Sequence, residues 1–379
     1  MTGPVAVVGA TGLVGRAAVR MLRSSGIGDL RVGARDVRRL YDVAEGAEPV
    51  QVDAGDPASV ARFCAGARLV LNCAGPSYLL LDRVGRAALT AGAHYVDVSG
   101  DGPAYHLLAD SGPVAGSLGS RTAVLSAGML PGLANLVPHF LVGGRLAGAA
   151  LVVYAGGIER FSRASAGDLV LSVDGADGAE QGTHWYGEAL AAWRDGRRVT
   201  GALPVVQDTE IPYFPGRVTT MPFLTADSVR LARSTGLASL DWYNVFTGTQ
   251  LRLSLGRLRG RVSREPAALA TAIEEVTAAG EVDRAGQNPY YLMAFTVVTG
   301  STARTAVLRT PSSFGLTAAT AVLAVRAVLD GAVPPGLHFA DEVLHPESTL
   351  RGVRELGALP VLDVHDHDPE TRPIEEGML

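Results

Sequence analysis

Three glycines in the run Val5-Ala-Val-Val-Gly-Ala-Thr-Gly-Leu-Val-Gly15 stand where an apolar strand would turn into a helix, and their spacing defines a chemical task. Gly9 permits the tight turn, Gly12 leaves the backbone bare where a pyrophosphate must approach, and Gly15 lets the helix lie close on the strand. The unpaired N–H groups at the helix start form an anion site. Gly9, Thr11, Gly12, Leu13 and Val14 therefore read as the phosphate turn of a dinucleotide site. The competing reading is a plain strand-turn-helix, in a chain that has 46 glycines.

The next strand, Leu30 to Gly33, leads into Ala34-Arg-Asp-Val-Arg-Arg39. In a dinucleotide fold this strand end meets the adenosine ribose, where a carboxylate bonds a 2′-hydroxyl and a guanidinium forks a 2′-phosphate. Arg35, with Arg38 behind it, points to NADPH; a ribose contact from Asp36 is the alternative. Asp53 ends a third strand, Val50 to Asp53, near the adenine. Asp56-Pro57 opens a helix with Asp56 as N-cap. The fourth strand, Leu69 to Cys73, places Cys73, Ala74 and Gly75 under the cofactor. A helix over about 80–91, a fifth strand at Tyr95 to Val98 and a sixth at Thr122 to Ser126 complete an alternating pattern.

That alternation predicts a doubly wound parallel sheet, Rossmann-type, in an α/β protein. From about Gly148 the pattern changes to strand-like stretches at 150–155, 168–173, 292–299 and 303–309, which suggests a second, sheet-rich α+β domain. The Ala-rich run Leu316 to Leu329 reads as a helix returning to the first domain. The expected division is 1–132, an NADP-binding domain; 133–312, substrate and dimerisation; 313–364, a segment returning to the first domain; and a tail over 365–379.

Composition narrows the chemistry. The chain has 379 residues, a net charge of −5 and two cysteines, Cys64 and Cys73, so a disulfide framework, a cysteine zinc site and a general nucleic-acid binder are all disfavoured. All 33 basic residues are arginine, which excludes a lysine Schiff base, a Gly-Lys-Ser/Thr phosphate loop and a Tyr-x-x-x-Lys couple. No stretch has the apolar length of a membrane span, and the N-terminus lacks a signal-type segment; a cytoplasmic protein is expected.

The segments Gly9 to Gly15, Val32-Gly-Ala-Arg-Asp36, Leu71-Asn-Cys-Ala-Gly-Pro76, His94-Tyr-Val-Asp-Val-Ser-Gly-Asp101 and Ala127-Gly-Met-Leu-Pro-Gly132 together resemble the saccharopine dehydrogenase-like (saccharopine reductase-like) oxidoreductases. The resemblance spans the first domain and is loose in the central one. It implies an NAD(P)-dependent reductase, a sheet-rich catalytic and dimerisation domain, hence a homodimer, and a C-terminal helix completing the first domain. Saccharopine-forming members carry an aspartate before the proline where this chain has Leu130, which argues against saccharopine and for a less polar substrate or a relocated proton donor.

Hydride transfer needs a site for the acceptor and usually a proton donor. Tyr78 and Asp101 follow the fourth and fifth strands and are the first candidates; an apolar wall for Tyr78 and an N-cap or ribose contact for Asp101 are the plain alternatives. Gln181-Gly-Thr-His-Trp-Tyr186 sets an imidazole, an indole and a phenol side by side, so His184 is a third candidate and its neighbours a wall for an aromatic substrate. His365-Asp-His-Asp368 could bind a metal, but its two histidines stand two apart with no third ligand nearby in sequence, and no metal site is expected. The favoured function is NADPH-dependent reduction of a C=N bond, an imine or thiazoline in a secondary-metabolite or siderophore precursor, free or tethered to a carrier protein. A trans-acting enoyl reductase on a polyketide or lipid thioester is the runner-up, and a non-catalytic NADP-binding scaffold the third reading.

Overall fold

The computed structural model describes residues 3–43, 45–173, 186–259 and 261–369. In chain order the elements are β1 (Val5–Val8), α1 (Leu13–Ser24), β2 (Leu30–Ala34), β3 (Glu48–Gln51), α2 (Pro57–Cys64), β4 (Leu69–Asn72), α3 (Ser77–Leu80), α4 (Arg83–Thr90), β5 (His94–Asp97), α5 (Gly102–Ala109), α6 (Gly112–Leu118), β6 (Thr122–Leu125) and α7 (Leu133–Val142). These build most of the first layer set. The chain continues with β7 (Ala150–Ile158), α8 (Arg163–Val173), β8 (Gly187–Ala189), β9 (Ala192–Arg194), β10 (Arg197–Val199), β11 (Val206–Glu210), β12 (Arg217–Thr225), α9 (Ala226–Thr235), β13 (Ser239–Phe246), α10 (Gln250–Leu258), α11 (Pro266–Arg284), β14 (Tyr290–Thr299) and β15 (Thr302–Thr310). It closes with α12 (Ser313–Leu329), β16 (Gly336–Phe339), α13 (Ala340–Val343), α14 (Pro346–Glu355) and β17 (Val361–His365).

The first sheet runs β16-β6-β5-β4-β1-β2-β3 with every pair parallel. The order reverses between β1 and β4, and the crevice beyond their carboxyl ends is where a doubly wound sheet binds its ligand. All four residues of β1 are buried, as a strand covered by helices on both faces requires. Ser312 caps α12 by accepting from the Gly315 amide, and the buried Ala318, Ala319 and Ala321 let that helix pack closely on α1. The Ala-rich run therefore does return to the first domain.

The second sheet is mixed, ten-stranded, with the path β10-β9-β13-β7-β14-β15-β17 and β8, β11 and β12 attached through β12 and β13. Helices α8, α10 and α11 pack around Ala166, Val170, Leu255 and Val276 as a separate small lobe. The stretch 168–173, expected as a strand, is the second half of α8; Leu169, Val170 and Leu171 serve the lobe rather than a sheet. The helix expected over about 80–91 is broken at Leu81, whose φ of 50° no helix accommodates, into α3 and α4. Beyond α12 the chain adds β16 to the first sheet and then β17 to the second, so His365 ends a strand paired to β15.

Candidate active site

The phosphate turn has the geometry its glycines require. Gly9 sits at φ 77°, and a Cβ there would lie 2.8 Å from the Cys73 and Ala74 backbone; a Cβ on Gly15 would lie 2.2 Å from the Gly9 carbonyl. Both glycines are therefore needed by the fold itself. Gly12 differs: it is exposed, and its Cβ would meet only the Gly9 carbonyl, at 3.3 Å. As the N-cap of α1 it offers no side-chain acceptor, and the first turn holds no acidic residue, so the helix start at Leu13 and Val14 carries no capping or acidic side chain of its own beside Thr11. This cradle fits a pyrophosphate.

Arg35 leaves the end of β2 exposed, with no carboxylate partner among the described residues. Arg38 is instead forked by Asp36, Nε to Oδ1 at 3.0 Å and Nη2 to Oδ2 at 3.2 Å, and its guanidinium holds the Asp36 carboxyl below the usual range. Asp36 also accepts from the Arg38 amide and is thus doubly occupied. Asp53 lies exposed just past β3, where Oδ1 accepts from the Gly55 amide at 2.9 Å.

Under the cofactor position runs a network that the sequence did not advertise. Asn72 and Asp97 are register partners on β4 and β5, and Asn72 Nδ2 donates to Asp97 Oδ2 at 3.0 Å while its Oδ1 accepts from the Ala74 amide. Asp97 also takes the Tyr95 hydroxyl and the Ser99 and Gly100 amides, which fixes the loops after both strands. Cys73 sits in this wall; burial, helped by the Asp97 charge, pushes its thiol far above the ordinary range, so it packs rather than reacts. With Ala74 and Gly75 it lines the cavity described next.

A cavity of about 410 Å³ opens between the carboxyl ends of β4 and β5 and the second domain. Tyr78 and Asp101, both expected here, do meet. The Tyr78 hydroxyl is pushed well above its ordinary range, chiefly by burial and then by the Asp101 and Asp168 charges. Its ring lies 3.9 Å, centroid to centroid, from that of Tyr186, whose hydroxyl accepts from Arg264 at 2.7 Å. Asp101 occupies the N-cap position of α5 without capping it, and its carboxyl lines the cavity. Burial first, then the charges of Asp227 and Asp168, raise it to about 8. His184 and Trp185 lie outside the described residues; of their motif, Tyr186 reaches the cavity.

Three further carboxylates were missed from sequence. Asp168 accepts from the Tyr78 amide at 3.1 Å, yet burial still lifts it to about 6. Asp227, one turn before Arg230 on α9, bonds that guanidinium at 2.6 Å; burial raises its carboxyl and Arg230 opposes the rise. Arg230 in turn reaches Asp341 on α13 at 2.6 Å and so ties the cavity wall to the first domain. Glu159, at the end of β7, accepts from the amide and hydroxyl of Ser313 at the start of α12, and burial raises it too. Arg160, loosely paired with Glu281 at 3.7 Å, is the one cation lining the cavity among the described residues. The Asp227-x-x-Arg230 spacing was the only local signal; the others depend on contacts across 90 residues or more.

The geometry agrees with what comparison shows. The family model of the saccharopine dehydrogenase NADP-binding domain matches residues 5–117. A probable mitochondrial saccharopine dehydrogenase-like oxidoreductase of Arabidopsis thaliana is 32% identical over 112 residues, covering 25% of this chain and 25% of that protein. The match thus spans about a quarter of that relative's length. Apo saccharopine dehydrogenase (L-Glu forming) from Saccharomyces cerevisiae superposes with a TM-score of 0.67 at 15% identity, over 97% of this chain and 100% of that one, a likeness of fold. No helix among the described residues is long and apolar enough to cross a membrane. Phosphate turn, strand order and family match agree: residues 5–117 match the model of the saccharopine dehydrogenase NADP-binding domain, which supports an NADP(H) site, and the chain has the fold of saccharopine dehydrogenase.

Proposed function

We propose that the protein is an NADPH-dependent reductase of a C=N bond. One observation carries the reading: Asp101, held at about 8 and therefore a neutral acid at pH 7, lies with Tyr78 in a cavity at the carboxyl ends of the NADP domain's strands. Bound NADPH supplies a hydride to the acceptor carbon. The chain's own task is then to position the acceptor and manage one proton. Asp101 is placed to hold that proton on its carboxyl and hand it to the acceptor nitrogen, a role for which a group near the working pH is best suited. Tyr78 and Tyr186 wall the acceptor, and Phe161, Phe223, Trp242 and Phe314 exclude water from the remainder.

Charge separates this reading from enoyl reduction. Protonated imines are cations, and the anionic form of Asp168 favours a cation in the cavity, whereas Asp227 is already paired with Arg230. Reduction of an enoyl thioester builds negative charge on the thioester oxygen, which a nearby carboxylate opposes. At about 4 Å and an effective dielectric of about 20, one carboxylate shifts such a charge by about 4 kcal/mol, favourably for the iminium and unfavourably for the enolate. The test is NADPH consumption with cyclic imines and thiazolines on one side and enoyl thioesters on the other. Turnover of the thioesters alone would refute the C=N reading, and tight NADPH binding with turnover of neither would favour a scaffold.

A further inference from the structure

A second cavity, of about 200 Å³, lies behind the first, between the ends of β7, β13 and β14 and the helical lobe of α8, α10 and α11. Glu159, Phe161, Leu169, Asn244 and Tyr291 line both cavities, so the wall between them is one layer of side chains. Phe161, on the turn between β7 and α8, is part of that wall. Its ring is accommodated by Gly280 in the interior of α11, where a Cβ would come within 2.8 Å of it. Glycine inside a helix costs about 1 kcal/mol relative to alanine. Here the missing methyl keeps room for the partition.

The polar groups of the smaller chamber are largely engaged. Asp283 accepts from the amides of Gln250 and Leu251 at 3.0 and 2.8 Å, and Glu159 is held by Ser313. Apart from the Tyr291 hydroxyl, what remains open to a ligand here is apolar: Ala155, Ile158, Val245, Phe246 and Leu251. An apolar cavity of about 150 Å³ is enough to take up benzene. At the partition itself, the Asn244 side-chain amide has no hydrogen-bond partner among the described residues, although it faces both chambers.

We propose that the two chambers are one bipartite substrate site: the acceptor bond lies in the larger, a phenyl-sized apolar group of the same molecule fills the smaller, and Asn244 bonds the polar link between them. The acceptor half rests on the C=N reading above; the chamber does not. Substrates are therefore aryl-bearing imines longer than the larger cavity, and Phe161 sets how far the aryl group enters.

Two measurements test this on the full chain loaded with NADP⁺ or NADPH. In the first, benzene is titrated while the methyl signals of Val245 and Leu251, which line only the smaller chamber, are followed by NMR. Shifts in the wild type that vanish at Val245 in Leu251→Trp support the chamber whether or not any imine is reduced; absence of shifts in the wild type, or persistence in the variant, overturns it. In the second, methyl- and phenyl-terminated versions of one cyclic imine are compared. Burial of the phenyl group should raise kcat/KM by roughly 10- to 100-fold, and Leu251→Trp should erase that advantage, bringing the two substrates to similar kcat/KM. Equal kcat/KM for the two in the wild type overturns the bipartite site and leaves the C=N reading intact. Should Leu251→Trp fail to fold, Phe161→Ala serves instead: it removes the partition and should favour bulkier aryl groups, and an unchanged preference overturns the proposal.

Discussion

Replacing Asp101 by Asn tests the proposed proton donor directly, because Asn copies the shape of the neutral acid and cannot give up a proton. With its carboxyl at about 8, Asp101 is about nine-tenths protonated at pH 7 and about one-tenth at pH 9. For a neutral imine, kcat should therefore fall about tenfold across those two units. Asp101→Asn should cost about 10²- to 10⁴-fold at pH 7, the range of general acids, with the loss shrinking as pH falls and the imine is protonated in solution. An N-alkylated iminium with the same skeleton gives a complete control. It already bears its charge and yields a neutral amine on accepting hydride, so it needs no proton. Against that substrate the same variant should lose less than about threefold, and the wild type should show no decline through pH 8. Steady-state NADPH consumption with both substrates at pH 6 to 9 is the assay. Equal losses with imine and iminium would refute the argument and make Asp101 a positioning residue, with the proton coming from water or another group.

Cofactor choice should rest on Arg35 more than Arg38: Arg35→Ala is expected to weaken NADPH binding by about 1.5–3 kcal/mol and leave NADH unchanged in titrations, while Arg38→Ala, already forked by Asp36, costs less. Equal losses of both cofactors on Arg35→Ala would dismiss the 2′-phosphate assignment. The glycines should separate by role. Gly12→Val should keep the fold and lose NADP binding, whereas Gly15→Val, whose Cβ would meet the Gly9 carbonyl at 2.2 Å, should fail to fold or melt far lower. Circular dichroism with cofactor titration decides between them, and retained NADPH affinity in Gly12→Val places the phosphates elsewhere. Stability should also depend on pH in a definite direction. Asp101 at about 8 and Asp168 at about 6 hold protons in the folded chain that the unfolded chain releases near the ordinary aspartate value of 3.8. Stability is thus highest below about pH 4 for these two groups and falls as pH rises through about 6 and then 8. Urea denaturation of Asp101→Asn should show a shallower fall between pH 5 and 8.5; an identical slope would mean Asp101 is not the group responsible.

The parts of the fold legible in the sequence are those whose cause is local. The apolar run of β1, its three glycines and the start of α1 are contiguous, and Asp56 caps α2 through the neighbouring Ala58 amide, so each could be placed without knowing anything distant. The apolar end of α8 could not. Leu169 to Val173 suits a strand as well as a helix, and the choice is made by packing against α10 and α11 and by the bond from Asp168 to the Tyr78 amide, 90 residues away. The site divides in the same way. Tyr78 and Asp101 follow strand ends and could be named; Glu159 needs Ser313, and Asp227 needs Arg230 and Asp341, to reveal why a carboxylate is tolerated there. Asn72 and Asp97 stood in view as motif residues, but their bond follows from the parallel register of β4 and β5.

The substitution of leucine at position 130 becomes intelligible against this set of acids. Leu130 lines the cavity and is 36% exposed, so an apolar side chain stands at the position where the family resemblance leads one to expect an aspartate. The cavity has not thereby lost its acids, because burial raises every carboxyl in it and the partners then set them apart. Asp101 has only its own amide to offset the rise and stays neutral at pH 7. Asp168 has the amides of Ser77 and Tyr78 and comes down to about 6, while Asp227 is countered by the guanidinium of Arg230. One residue type thus supplies a neutral acid and two anions within one cavity, the division of labour expected where a proton is delivered to a group held as a cation. In the proposed reaction Asp101 takes the donor's task, and Leu130 contributes apolar surface that suits a substrate without the second amino-acid headgroup of saccharopine.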